Sequence, residues 1–187
     1  KKALRLTPGI IIVIIQWLLW MIIPKLFSGP LISAVGVFGG MLGGIAILVW
    51  WAFFSRAPRF ERWSALVLWI LALIVSSLFT DESITSGMMG MMFPAFAIPV
   101  LSLVFVAWVV LTQNLSQSLR RVSMVLSIVL ASGVWILLRS DGMTGDARID
   151  LAWRWSKTHE EKLLSQSSKE DTPNYAPIKL ADTNPEW

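Results

Sequence analysis

The feature that most constrains this chain is a succession of apolar runs, each about as long as a lipid bilayer is thick. A helix rises about 1.5 Å per residue, so a hydrocarbon core about 30 Å thick takes roughly 20 residues to cross. Five runs reach that length: 8–27, 31–54, 60–79, 93–112 and 119–138. Backbone amides find no water partner in lipid, so each run is expected to be helical. None carries Asp, Glu, Arg or His in its middle, and Lys25 lies near enough to a helix end to snorkel. The expected fold is all-α integral membrane: a five-helix transmembrane domain over 1–139, then a polar, largely extended tail over 140–187.

Charge sets the orientation. Residues 1–139 hold ten Lys or Arg and three acids, whereas 140–187 hold six and nine. Lys1, Lys2 and Arg5 precede the first run, Arg56, Arg59 and Arg62 join the second and third, and Arg120 and Arg121 join the fourth and fifth. All eight fall on one side if the helices alternate. The other side has Lys25, Arg139, Asp81 and Glu82 near the membrane. The positive-inside rule therefore puts the N-terminus in the cytoplasm and everything after Arg139 on the opposite side of the membrane. The sequence pI near 9.8 reflects these clusters between apolar runs, not a nucleic-acid surface. Residues 8–27 are too long and too tryptophan-rich for the core of a cleaved signal peptide, and no small-residue cleavage site follows. They read as a retained first helix. The opening Lys1-Lys2, without Met, suggests that a few residues precede them.

In the tail, Asp141-Gly142 and Gly145-Asp146 are turn formers. Thr158-His159-Glu160-Glu161 fits a capping box and announces a short helix near 159–167. Pro173, Pro177 and Pro185 then mark a proline-rich linker.

Gly36, Gly40 and Gly44 recur every four residues in the second run, with Gly39 and Gly43 beside them. Such a face lets another helix approach closely. The approaching helix belongs either to this bundle or to a partner subunit, and the flat face also suits a lipid or quinone tail. Trp50, Trp51 and Trp63 at one end, and Trp135, Trp153 and Trp155 at the other, read as interfacial anchors. Trp153-Arg154-Trp155 also suits stacking on an aromatic ligand. Trp17, Trp20, Trp69 and Trp108 lie deeper, as packing or lipid-facing rings, and Pro99 is expected to kink the fourth helix.

Met88-Met89 and Met91-Met92 offer soft sulfur to copper, but flexible apolar filling of a loop explains them more simply. With no Cys, disulfides and thiolate chemistry are excluded. His159, the only histidine, lies in the tail, so no intramembrane His holds haem or chlorophyll. Proton pumps and ion-coupled transporters need ionisable groups within the membrane, and for that this chain offers only Gln16, Gln113, Asn114 and scattered Ser. A small transporter is the weakest reading. No catalytic, cofactor-binding or metal-binding constellation is visible in these residues, and the spacing of Asp141, Asp146 and Asp150 is not that of an EF-hand.

Several strings resemble a known family: Ser55-Arg56-Ala57-Pro58-Arg59-Phe60-Glu61-Arg62, Met92-Phe93-Pro94, Gly133-Val134-Trp135, Arg139 to Asp146, Trp153-Arg154-Trp155-Ser156 and Glu160-Glu161-Lys162-Leu163-Leu164. Together they are similar to the N-terminal membrane region of bacterial PQQ-binding-like β-propeller repeat proteins, over roughly residues 50–187. The layout is similar to the membrane anchor of quinoprotein glucose dehydrogenases. The resemblance implies that Pro185-Glu186-Trp187 begins a periplasmic propeller. Any PQQ ligands, and any quinoprotein-type oxidoreductase activity, would then belong to residues after Trp187.

Two functional expectations follow. One is a non-catalytic membrane anchor that tethers a periplasmic PQQ-like propeller near the quinone pool, with membrane lipids and other membrane-protein subunits as partners and no nucleic acid. The alternative is an accessory structural subunit of a larger respiratory or photosynthetic membrane complex, which packs through helix faces and binds lipid, quinone or carotenoid. The absence of Cys makes the orientation directly testable. A cysteine placed at Ser86 should react with a membrane-impermeant maleimide on intact spheroplasts, and one placed at Ser116 should react only after lysis; the reverse pattern contradicts the orientation.

Overall fold

The computed structural model describes residues 6–27, 29–55, 57–143 and 149–167. Five helices in it are long and apolar enough to cross a membrane: Thr7–Leu26, Leu31–Phe54, Arg59–Phe79, Met92–Leu111 and Gln117–Leu137, here spans one to five. Their ends fall within two residues of the sequence reading. Lys1, Lys2, Arg5, Arg56 and the proline-rich linker lie outside the described residues.

Two spans depart from regular α-helix, each for a local reason. Leu18–Ile22 in span one widens into a π-turn just before Pro24. A proline ring clashes with the carbonyl four residues back and supplies no N–H, and a wider turn relieves both faults. Span two ends in a second π-turn, Trp50–Phe54, closed by Ser55, whose hydroxyl donates to the Trp51 carbonyl at 2.7 Å. Pro99 sits inside span four, which stays helical throughout.

Span four is the hub. Half of its most apolar window is buried, against 17–28% for the other spans. It contacts spans one, two, three and five. The main core gathers Val13, Ile47, Trp51, Trp69, Phe105 and Ile128. A smaller cluster at the far end holds Ile84, Met92, Phe93, Ala97 and Trp135.

Close contact at the glycine face holds the first half of the chain together. A side chain on Gly36 would meet the Pro24 ring at 2.7 Å, and one on Gly43 would meet Gln16 at 2.5 Å. On Gly40 it would meet Trp20 at 2.9 Å and Pro99 at 3.1 Å, and on Gly44 it would run into Ile98. Gly39 faces Leu19 at 3.1 Å. Spans one and four of this chain therefore occupy the stripe. Gly9 plays the same part in span one, where a Cβ would stand 2.5 Å from the Trp50 ring.

Residues after span five depart from the expected extended tail. Leu138–Met143 (β1) and Ile149–Trp153 (β2) form an antiparallel hairpin. Asp141-Gly142, read above as a turn, lies within β1. The strand is irregular between Ser140 and Met143, and Gly142 there has φ 131°, a conformation that glycine adopts without strain. Further along, described by itself, the helix His159–Ser167 begins with the expected capping box: Thr158 N–H donates to Glu161 Oε2 at 3.1 Å and Glu161 N–H to Thr158 Oγ1 at 3.0 Å.

Gly44→Ala should destabilise the bundle by about 1–3 kcal/mol through overpacking against Ile98. Gly133→Ala, whose added methyl meets nothing within 4 Å, should leave stability unchanged or raise it by up to about 1 kcal/mol. Denaturant unfolding of both variants in the same detergent makes the comparison.

Candidate functional site

Spans three and five begin side by side, joined by a buried ion pair. Glu61, in the first turn of span three, is 1% exposed, and Arg120, in the first turn of span five, is 9% exposed. Arg120 Nη1 stands 3.7 Å from Glu61 Oε2. The Arg120 guanidinium also lies over the Trp108 ring, 5.5 Å from its centroid. Trp108 Nε1–H donates to Ser123 Oγ at 2.9 Å, and the Ser123 hydroxyl donates to the Arg120 carbonyl at 3.1 Å. Trp108 meets Trp51 edge-on at 6.1 Å, and Trp51 meets Phe105 at 5.1 Å. Four of the five spans thus converge on one charge pair.

The pair is held mainly by Coulomb attraction, since 3.7 Å is too long for a hydrogen bond. Among the described residues neither Glu61 oxygen accepts a hydrogen bond, and Arg120 Nε and Nη2 find no acceptor. Such a pair adds little net stability over an apolar substitute, but removal of one partner leaves the other charge buried alone. Its chemistry is that of a positioning device: it fixes spans three and five in register.

A second polar node sits where spans one, two and four cross. Gln16, 1% exposed, donates through Nε2 to the Gly40 carbonyl at 2.7 Å and lies 3.4 Å from Ser102 Oγ. Gly43 leaves the room that the Gln16 stem fills. The amide thus ties together the three spans that share the glycine face.

The tryptophans divide differently from the sequence reading. Trp63, Trp153 and Trp155 are exposed. Trp50 and Trp51, read as interfacial anchors, are 2% and 0% exposed, and Trp135 is 6% exposed against Phe93. The bare Gly9 backbone leaves room for the Trp50 ring, and Trp51 packs against Phe105 and Trp108. Trp69 and Trp108, read as packing or lipid-facing, are also buried. The methionine pairs share no common environment: Met89 is 98% exposed on a left-handed turn, while Met92 is 3% exposed with its sulfur against Gly87.

No protein-family model, curated protein or solved structure matches this chain. A gap between Leu73, Phe93, Ala97, Leu101, Ser132 and Trp135 has no room for a water molecule. The larger space, about 300 Å³, is an open groove along spans three and four. No group of three or more His, Cys, Asp or Glu suited to a metal occurs among the described residues.

Sequence reasoning passed over Glu61 and Arg120 because it counted Arg120 with the flanking cations. The signal was nonetheless present. Arg120, Met124, Ile128, Ala131 and Trp135 follow helical spacing and are all buried, as are Glu61, Ala65, Trp69 and Ser76. Each charge extends an apolar stripe by one turn.

At the opposite end, the hairpin is fastened to the turn after span three. Ser140 N–H donates to Ser83 Oγ at 2.9 Å, and Arg154 Nε lies 3.5 Å from Asp81 Oδ2. Hydrogen bonding from the Ser83 backbone, then from its hydroxyl, and the nearby Arg154 and Arg139 guanidiniums hold the Asp81 carboxyl below its ordinary value, despite some desolvation.

Two outcomes follow from this geometry. Glu61→Leu or Arg120→Met alone should cost about 3–5 kcal/mol, whereas the double variant should recover most of that loss in a double-mutant unfolding cycle. The Asp81 carboxyl is more acidic folded than unfolded, so its contribution is complete above the ordinary aspartate range and disappears as pH falls below about 4. Amide exchange at Ser83 and Ser140 should lose protection over that range, and Asp81→Asn should abolish the dependence.

Proposed function

We propose that this chain is a non-catalytic membrane anchor that holds a periplasmic PQQ-like β-propeller against a bacterial inner membrane. The observation that carries this reading is how the interior is used. Among the described residues the buried Glu61 and Arg120 charges face each other, Gln16 donates to the Gly40 carbonyl, and the gap beside Ser132 and Trp135 has no room for a water molecule, although both Glu61 oxygens and Gln16 Oε1 accept no hydrogen bond. A bundle packed in this way can hold and orient, and it leaves no reacting group facing a substrate.

The hairpin supports the same reading. It ties the chain leaving span five to the turn after span three through Ser140–Ser83 and Arg154–Asp81. A tether fixed at two points gives whatever follows a defined starting position. The accessory-subunit alternative rests on the glycine face of span two and on the lack of internal chemistry; spans one and four of the same chain fill that face, which removes the first of these grounds. The anchor is therefore the preferred reading.

The coding sequence beyond Trp187 tests it. Glycine- and tryptophan-rich blade repeats should follow, and replacement of residues 1–139 by a cleavable export signal should release their product into the soluble periplasmic fraction. A stop codon soon after Trp187 contradicts the proposal.

A further inference from the structure

We propose that the bundle end where spans three and five begin binds the phosphate headgroup of an anionic phospholipid, an inference that rests on the membrane reading above. Four arginines gather there, Arg59, Arg62, Arg120 and Arg121, and Glu61 is the single acid among the described residues of that end. Their obligations differ. Arg120 is committed to Glu61 and Trp108. Arg62 is half-buried and donates through Nη2 to the Ala57 carbonyl at 3.1 Å. Arg59 and Arg121 are exposed, and neither has a carboxylate partner among the described residues.

Arg121 is also pre-positioned. Its guanidinium lies over the Phe60 ring, 5.0 Å from the centroid. A guanidinium held over a ring keeps N–H groups that can donate to two oxygens of one phosphate. The contact links span five to span three beside the Glu61–Arg120 pair, so the buried pair sets the spacing of the exposed cations. Phe60 and Trp63, 67% and 61% exposed, add aromatic surface to the same patch. Cations beside exposed aromatic rings match a ligand with a phosphate joined to an apolar body. A phospholipid has both parts, and free inorganic phosphate has only the first.

Native mass spectrometry of the detergent-extracted chain, with added phosphatidylglycerol or phosphatidylcholine, tests the site. Phosphatidylglycerol should be retained in preference. Arg59→Gln/Arg121→Gln should weaken that retention about fivefold per arginine, from about 1 kcal/mol per cation at an anionic surface. Arg59→Lys/Arg121→Lys, which keeps the charge and loses the two-donor edge, should recover only part of it, and Lys25→Gln, at the opposite end, should change nothing. Equal retention of the two lipids by wild type, or an unaffected double Gln variant, overturns the site and leaves the membrane reading standing. Recovery of wild type in the soluble fraction without detergent overturns both.

Discussion

Close approach of span two to spans one and four is the contact on which the rest of the structure depends. Five glycines strip side chains from one helix face, and Gln16, Leu19, Trp20, Pro24, Ile98 and Pro99 move into the space. Helices in lipid gain little hydrophobic drive from each other, so van der Waals contact at short range and a few internal hydrogen bonds must hold them. The Gln16 amide supplies one such bond, to the carbonyl of a glycine on that face. Span four, pressed against this face on one side, then has its other side free to receive spans three and five.

The two ends of the bundle solve different problems. At one end Glu61 and Arg120 are buried with little hydrogen bonding, and the energetic value of such a pair lies in alignment more than in net stability. The guanidinium lies over Trp108, which packs against Trp51, itself edge-on to Phe105. At the other end the polar contacts are partly exposed, between Asp81, Ser83, Ser140 and Arg154, and serve to fasten a hairpin. One end fixes helix register, and the other fixes where the chain departs.

Much of this was legible in the residues. Span number and limits follow from apolar run length, because a hydrocarbon environment leaves the backbone no alternative to the helix. The capping box at Thr158 and Glu161 was equally plain, since it depends on four consecutive residues. What escaped depends on contacts between distant segments. Trp50 and Trp51 read as interfacial from their position at a helix end, but Trp50 packs on Gly9, 41 residues upstream, and Trp51 against Phe105 and Trp108. The hairpin was hidden because Asp-Gly reads as a turn, whereas here Gly142 makes an irregularity inside β1. Arg120 was grouped with Arg121 because adjacent charges look alike in a string; the helical stripe separates them by about 100°, one inward and one outward.

The proposed role as an anchor requires a helix crossing that is closed to water. Ser102, between spans one, two and four and 0% exposed, reports on that directly. The chain contains no cysteine, so a single Ser102→Cys substitution places one small thiol at the crossing. In the native, detergent-extracted protein this thiol should resist a small water-soluble maleimide and react only after denaturation. Rapid labelling in the native state would mean that water reaches the centre of the bundle, and would contradict the account.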